Sequence, residues 1–207
     1  MDAGRFRKLP IMGILRTSGA GVPIEDLTDS VIASGLETME IAMNSDDAAA
    51  LVGRAVKAAK GRLTIGAGTV LDMDILKAAL DAGATFVVMP TLVAGVVEYC
   101  VKNSVPVFPG AFTPQEIYNA WNAGATMVKV FPAAMFGPSY IKEVRAPFKN
   151  IDLLACGGIT PGNIRDYFES GAAAVAFGNS VFRKEWIDKR DFASIEDSIR
   201  RLIASMK

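Results

Sequence analysis

Eight short apolar runs, separated by amphipathic stretches, constrain the fold of this chain more than any other feature of its sequence. They are Ile11–Leu15, Thr38–Met43, Leu63–Ile65, Phe86–Met89, Val105–Phe108, Met127–Val130, Leu153–Cys156 and Ala173–Phe177. Most are apolar on both faces, the pattern of parallel strands covered by helices. Helix-like segments lie between them: Ile24–Ala33, Ala48–Ala59, Met73–Asp81, Gln115–Asn122, Tyr140–Val144 and Ile164–Glu169, with a last one from about Ser194 to Met206. Glycines in Ser34-Gly35-Leu36, Ala82-Gly83-Ala84, Ala123-Gly124-Ala125 and Ser170-Gly171-Ala172 mark helix ends, where a left-handed residue is needed. Thr113-Pro114 and Thr160-Pro161 mark helix starts, with Thr as N-cap and Pro at the first helical position. Eight strand–helix units in 207 residues, with no linker or low-complexity segment, predict an α/β fold, a single (β/α)8 TIM barrel over residues 1–207. The alternative is a doubly wound open sheet. It would normally carry a glycine-rich turn after strand one, and Arg16-Thr17-Ser18-Gly19-Ala20-Gly21 offers only G-x-G.

The composition removes several classes of chemistry. Basic and acidic residues number 22 each, so no general field attracts nucleic acid or an anionic membrane, and any anion site must be local. There is no histidine, which excludes Ser-His and Cys-His nucleophile pairs and His-ligated zinc. Proton transfer must then fall to carboxylates, lysine, tyrosine or water. Cys100 and Cys156 form no C-x-x-C motif, and two lone thiols suit a reducing compartment. No apolar h-region follows Met1-Asp2-Ala3-Gly4-Arg5, so a cytoplasmic location is expected. Apolar runs of strand length are too short to span a bilayer. Asp46, Asp47, Asp72 and Asp74 read as helix-start carboxylates, not as a metal site. Trp121 and Trp186 read as core or interface.

In such a barrel the chemistry belongs at the C-terminal ends of the strands. Lys129 stands in the sixth run, between Val128 and Val130. An ammonium there is either a nucleophile activated by desolvation, the usual route to imine-forming lysines, or a stem lying along the strand with its head in solvent. Glu40, between Met39 and Ile41, is a second lone ionisable group on an apolar strand. Turned inward it becomes a partner for Lys129, either in a structural ion pair or as the proton shuttle that histidine cannot supply here. Gly157-Gly158 and Gly178-Asn179-Ser180, ending strands seven and eight, fit the usual barrel phosphate site, with tight-turn glycines as the plain alternative. Arg16 suits a bidentate carboxylate clamp or a rim salt bridge, and Thr69 offers a hydroxyl to the same carboxylate. Pro90 and Phe131 offer apolar walls that would desolvate the lysine, with plain core packing as the alternative.

These segments resemble a known family over nearly the whole chain. Gly13-Ile14-Leu15-Arg16, Met39-Glu40-Ile41-Ala42-Met43-Asn44-Ser45, Gly66-Ala67-Gly68-Thr69-Val70, Pro109-Gly110 with Thr113, Lys129-Val130-Phe131-Pro132-Ala133, Phe136 to Lys142, Gly157-Gly158-Ile159-Thr160-Pro161 and Phe177-Gly178-Asn179-Ser180 are similar, in order, to the class I pyruvate aldolases of the KDPG/KHG type. The resemblance implies a (β/α)8 barrel, commonly a homotrimer, that needs neither metal nor organic cofactor. It implies cleavage of a 2-keto-3-deoxy-6-phospho-aldonate to pyruvate and glyceraldehyde 3-phosphate. Lys129 would be the Schiff-base lysine and Glu40 the general acid/base. Arg16 and Thr69 would hold the pyruvate carboxylate, and Gly157, Gly158, Gly178 and Ser180 would lie at the phosphate. Two positions depart from the gluconate branch: Asn44 stands where that branch often has arginine, and Cys156 where it tends to have threonine. Glu-x-x-x-Asn-Ser is more similar to the phosphogalactonate branch, which leaves the C4 epimer open at the Cys156 position. Two other functions are expected to compete: a 4-hydroxy-2-oxoglutarate aldolase giving glyoxylate, and a non-catalytic phosphosugar-binding barrel.

Overall fold

Strand and helix alternate from the first apolar run to the last. The computed structural model describes residues 1, 3–17, 21–45 and 47–206. The order is α1 (Ala3–Lys8), β1 (Ile11–Leu15), α2 (Ile24–Ala33), β2 (Thr38–Ala42), α3 (Ala48–Ala59), β3 (Thr64–Gly68), α4 (Met73–Asp81), β4 (Val87–Val88), α5 (Ala94–Lys102), β5 (Val107–Phe108) and β6 (Gly110–Ala111). It continues with α6 (Pro114–Asn122), β7 (Val128–Val130), a 3-10 turn (Ala133–Met135), α7 (Gly137–Arg145), β8 (Leu153–Cys156), α8 (Ile164–Glu169), β9 (Ala174–Phe177), α9 (Lys184–Asp188) and α10 (Phe192–Ala204).

All strand pairings are parallel, and the segments run in the order β5-β4-β3-β2-β1-β9-β8-β7-β6. β5 and β6 are two halves of one run, interrupted at Pro109, which has no N–H to give a ladder. The run closes the barrel by pairing on both sides. Val87 and Val88 register with Val107 and Phe108, while Gly110 and Ala111 register with Lys129 and Val130. Thr126 N–H donates to Val107 O at 2.8 Å and Lys129 N–H to Pro109 O at 2.9 Å. Closure brings two backbones very close. A Cβ on Gly110 would lie 2.1 Å from the Pro90 carbonyl oxygen, so only glycine fits there.

Alternation along the strands splits the apolar residues into two cores. One lies between strands and helices and takes Ile11, Leu15, Met39, Ile41, Val87, Val128, Val130, Leu153, Ala155, Val175 and Phe177. The other fills the barrel with Met12, Ile14, Phe86, Val88, Phe108, Met127, Leu154, Cys156, Ala174 and Ala176. Phe6, from α1, joins the inner core and meets Phe108 edge-on at 6.0 Å, while Phe108 meets Phe86 at 5.9 Å. This aromatic column fills the interior beneath the strand ends. Fully burying each such side chain stabilises the fold by roughly 1.5–3 kcal/mol.

The four junction glycines all have positive φ: Gly35 at 89°, Gly83 at 97°, Gly124 at 99° and Gly171 at 95°. At Thr113 the expected cap is a full capping box, with the side chain accepting from Glu116 N–H while Glu116 accepts from Thr113 N–H. Thr113→Ala is therefore expected to cost about 1 kcal/mol. A denaturant melt should show a lower midpoint with an unchanged slope. Asp72 caps α4 through a 2.8 Å bond from Ile75 N–H, Asp74 sits in that helix's first turn, and Asp47 holds the N-cap position of α3. Asp46 and the segment Ser18-Gly19-Ala20 lie outside the described residues.

Three expectations need correction. Thr160 is not the N-cap of α8, which begins at Ile164 after a turn organised by Asn163. Thr160 N–H donates to Asn163 Oδ1 and Asn163 Nδ2–H to Gly158 O, both at 2.8 Å, so the Thr-Pro pair opens a loop. Strand three is Thr64–Gly68, not Leu63–Ile65, because its glycine-rich half pairs with β2 through Ala42. The fifth run, expected as Val105–Phe108, is strand only over Val107–Phe108 and resumes after Pro109 as β6. Trp121 and Trp186 are partly buried against the outer core, as expected.

Candidate active site

Lys129 alternates with Val128 and Val130, both in the outer core, so its side chain enters the barrel. By the same parity Glu40 points inward between Met39 and Ile41. Glu40 is 1% exposed and Lys129 5% exposed. That disposes of the lysine stem escaping to solvent. The two come from strands on opposite sides of β1, β9 and β8 in the sheet order, and among the described residues no ion pair within 4.0 Å joins them. A simple buried salt bridge is thus not what the barrel mouth contains.

A cavity of about 240 Å³ opens at the C-terminal ends of the strands, lined by Arg16, Thr69, Pro90, Lys129, Phe131, Cys156, Gly157, Gly158, Gly178, Asn179 and Ser180. Each sits at the end of its strand for a local reason. Arg16 is exposed one residue beyond β1. Thr69 follows β3 with φ at 59°, a left-handed conformation rare for a β-branched residue and costing of order 1–3 kcal/mol. Phe131 stands after β7 with its ring centroid 5.3 Å from Lys129 Nζ. The peptide bond from Phe131 to Pro132 is cis. Gly157 and Gly158 have φ of 102° and 75°, turning the chain sharply out of β8. After β9, Val181 and Phe182 N–H groups both donate to Gly178 O at 2.9 Å and wind Gly178-Asn179-Ser180 into a tight turn. Cys100, by contrast, is buried in α5 in the outer core, away from the site.

The electrostatics follow from burial. Desolvation pushes Glu40 above the usual carboxylate range, opposed by the charges of Lys129 and Arg16. It pushes the Cys156 thiol up to about 11, with Lys129 beside it pulling the other way. Cys156 therefore stays a thiol near neutral pH and is a poor nucleophile. Glu40 Oε2, Thr17 Oγ1 and Ser180 Oγ are buried and have no hydrogen-bond partner within the protein. Buried polar atoms normally pair with protein, water or a ligand; Thr28 Oγ1 in α2 is a fourth such atom, and of the four only Ser180 Oγ belongs to a residue lining the cavity. Among the described residues no group of three or more Cys, Asp or Glu gathers as a metal site, and no helix is long and apolar enough to cross a membrane.

A family model described as KDPG and KHG aldolase matches residues 3–198. The chain belongs to that family. It is an aldolase, a lyase. It is 34% identical over 180 residues to the 2-dehydro-3-deoxy-6-phosphogalactonate aldolase of Escherichia coli, covering 85% of this chain and 86% of that one. It is 31% identical over 191 residues to the 2-dehydro-3-deoxy-phosphogluconate aldolase of Pseudomonas aeruginosa, covering 92% of this chain and 84% of that one. A solved native KDPGal structure, 30% identical, superposes with a TM-score of 0.87 over 96% of this chain and 94% of its own.

In this aldolase the cavity collects the predicted site residues from widely separated strands, except for Glu40, which is buried and does not line it. The sequence did not mark Ile14 and Ile159, which also line it. Ile14 registers with Glu40 across β1 and β2, and counting back two residues from Arg16 along the first run would have placed it inside. Nor did it mark Thr17 or Asn163, the side chain that ties the Gly158–Thr160 loop together. The only signal for Thr17 was adjacency to Arg16, and Asn163 had none of its own.

Proposed function

We propose that this aldolase cleaves a 2-keto-3-deoxy-6-phospho-aldonate to pyruvate and glyceraldehyde 3-phosphate through an imine on Lys129. The observation that carries the reading is one cavity with a buried lysine at its floor and two glycine-rich turns, Gly157-Gly158 and Gly178-Asn179-Ser180, at its rim. Lys129 attacks the C2 ketone, giving a carbinolamine and then, with loss of water, an iminium ion. Glu40, through a water, takes the proton of the C4 hydroxyl as the C3–C4 bond breaks and the iminium accepts the electron pair. The aldehyde leaves, Glu40 returns the proton to C3 of the enamine, and hydrolysis frees pyruvate. Arg16 and Thr69 hold the carboxylate at the reacting end. Backbone N–H groups of the two turns, with Ser180 Oγ, hold the phosphate at the other. Cys156, beside Lys129, contacts the hydroxylated carbons between the two ends. Pro90 and Phe131 keep water from the imine.

The relatives named above act on phosphorylated acids, which supports a phosphorylated substrate. A side-by-side assay of both C4 epimers, their dephosphorylated forms and 4-hydroxy-2-oxoglutarate tests this. Losing two or more charge-assisted hydrogen bonds should lower kcat/KM by roughly 10²-fold or more on dephosphorylation. Equal turnover of hydroxyoxoglutarate and the phosphorylated acids would leave the glycine turns without a role and overturn the substrate assignment. The exposed Met135 and Phe136, the latter stacked on Phe112, suit a contact between subunits, and the homotrimer itself rests on the family resemblance.

A further inference from the structure

The Glu40 carboxyl lacks the contacts that normally aim a buried acid. Its Oε2 has no hydrogen-bond partner in the protein. On one side it lies over the bare backbone of β3. β2 and β3 register Glu40 with Gly66 and Ala42 with Gly68, and the carboxyl reaches one pleat along to lie on Gly68. A Cβ there would meet Glu40 Oε1 at 2.6 Å, Cδ at 2.8 Å and Oε2 at 3.3 Å. Gly68 is not in the left-handed region, so the fold requires glycine there for space alone. Gly66, below it, has a different occupant: a Cβ would lie 2.4–2.5 Å from three ring carbons of Phe86. β3 thus gives the barrel two positions without side chains, the lower filled by an aromatic ring and the upper by a carboxyl. Phe86 is itself fixed edge-on against Phe108 at 5.9 Å.

We propose that Gly68 is a positioning residue that aims the Glu40 carboxyl by leaving it a notch, a role that rests on the reading of Glu40 as the acid/base. A methyl group at position 68 must displace the carboxyl, because contacts under 3.0 Å do not persist. The displaced atoms end a flexible side chain, so the barrel itself is not disturbed. The carboxyl moves by about 1 Å, and misplacement on that scale costs on the order of 10²-fold.

The test uses Gly68→Ala beside Glu40→Gln, each read in three ways. Borohydride with pyruvate should still label Lys129 in both variants. Exchange of the pyruvate methyl protons with solvent deuterium, followed by NMR, should fall roughly 10²-fold in Gly68→Ala, in step with kcat. Glu40→Asp, one methylene shorter, should cost little more in the Gly68→Ala background, whereas independent sites would multiply their losses. Wild-type exchange in Glu40→Gln would overturn the role of Glu40 itself. Loss of exchange in Glu40→Gln but not in Gly68→Ala would overturn the role of Gly68 alone. So would multiplicative losses in the double variant, or a Gly68→Ala variant that loses labelling and thermal stability together.

Discussion

Lys129→Ala is expected to lower kcat/KM by on the order of 10⁵-fold or more, as removal of a covalent nucleophile does elsewhere. The fold should survive, since among the described residues no salt bridge is lost with Lys129. The readout is mass. Pyruvate and borohydride should add to the wild-type chain the mass of pyruvic acid less one oxygen atom, on the peptide carrying Lys129. The variant should add nothing. Arginine at this position keeps the charge but cannot form the imine, so Lys129→Arg should be as inactive. An active alanine variant, or a wild-type chain that pyruvate and borohydride leave unmodified, would exclude imine chemistry.

The second large effect belongs to Glu40. Glu40→Gln should reduce kcat by about 10²- to 10⁴-fold, the usual worth of a positioned proton-transfer group. Imine trapping on Lys129 should persist, separating binding and condensation from bond cleavage. The same substitution carries an opposite effect on stability. Burial raises the Glu40 pKa in the folded chain, so the native state holds that proton more tightly than the unfolded chain does. Its contribution is fully present below the unfolded glutamate value and is lost as the pH rises through the folded value. Wild type is thus handicapped at neutral pH by a buried carboxylate, and the glutamine variant is not. Denaturant melts should find Glu40→Gln more stable than wild type near neutrality, with the difference vanishing as the pH falls into the usual glutamate range. A variant less stable than wild type at neutral pH would show that the carboxylate is better compensated than its surroundings indicate.

How much of this was legible beforehand depended on what kind of signal each residue leaves. α2, α3 and α4 have the boundaries expected from sequence because a left-handed glycine or a change of periodicity punctuates them, and α8 has the span of its periodicity but not the expected N-cap. α5 was not marked: Ala94–Lys102 carries three valines and a glycine and has no side-chain cap, so nothing local distinguishes it from loop or strand. β3 was shortened because Gly66-Ala67-Gly68 looks like a turn until β2 is beside it. Lys129 and Glu40 stood out because charge within an apolar run is conspicuous. Gly68 was quoted as part of a motif, but its work is done by an absent side chain, and which atoms fill the gap is a tertiary fact. Asn163 was hidden for a related reason: Thr160-Pro161 offered a stronger start signal three residues too early.

β1 pairs with β9, so the first strand of the barrel and the last lie side by side. Arg16 extends from one and the Gly178-Asn179-Ser180 turn from the other. No stretch of chain that lacks either end can therefore assemble the whole site, however well its own strand–helix units form. A fragment cut between units turns nothing over until its complement arrives, even where its helices are native. During refolding, regained turnover marks the moment the two ends meet, a late event in a parallel sheet built from distant pairings.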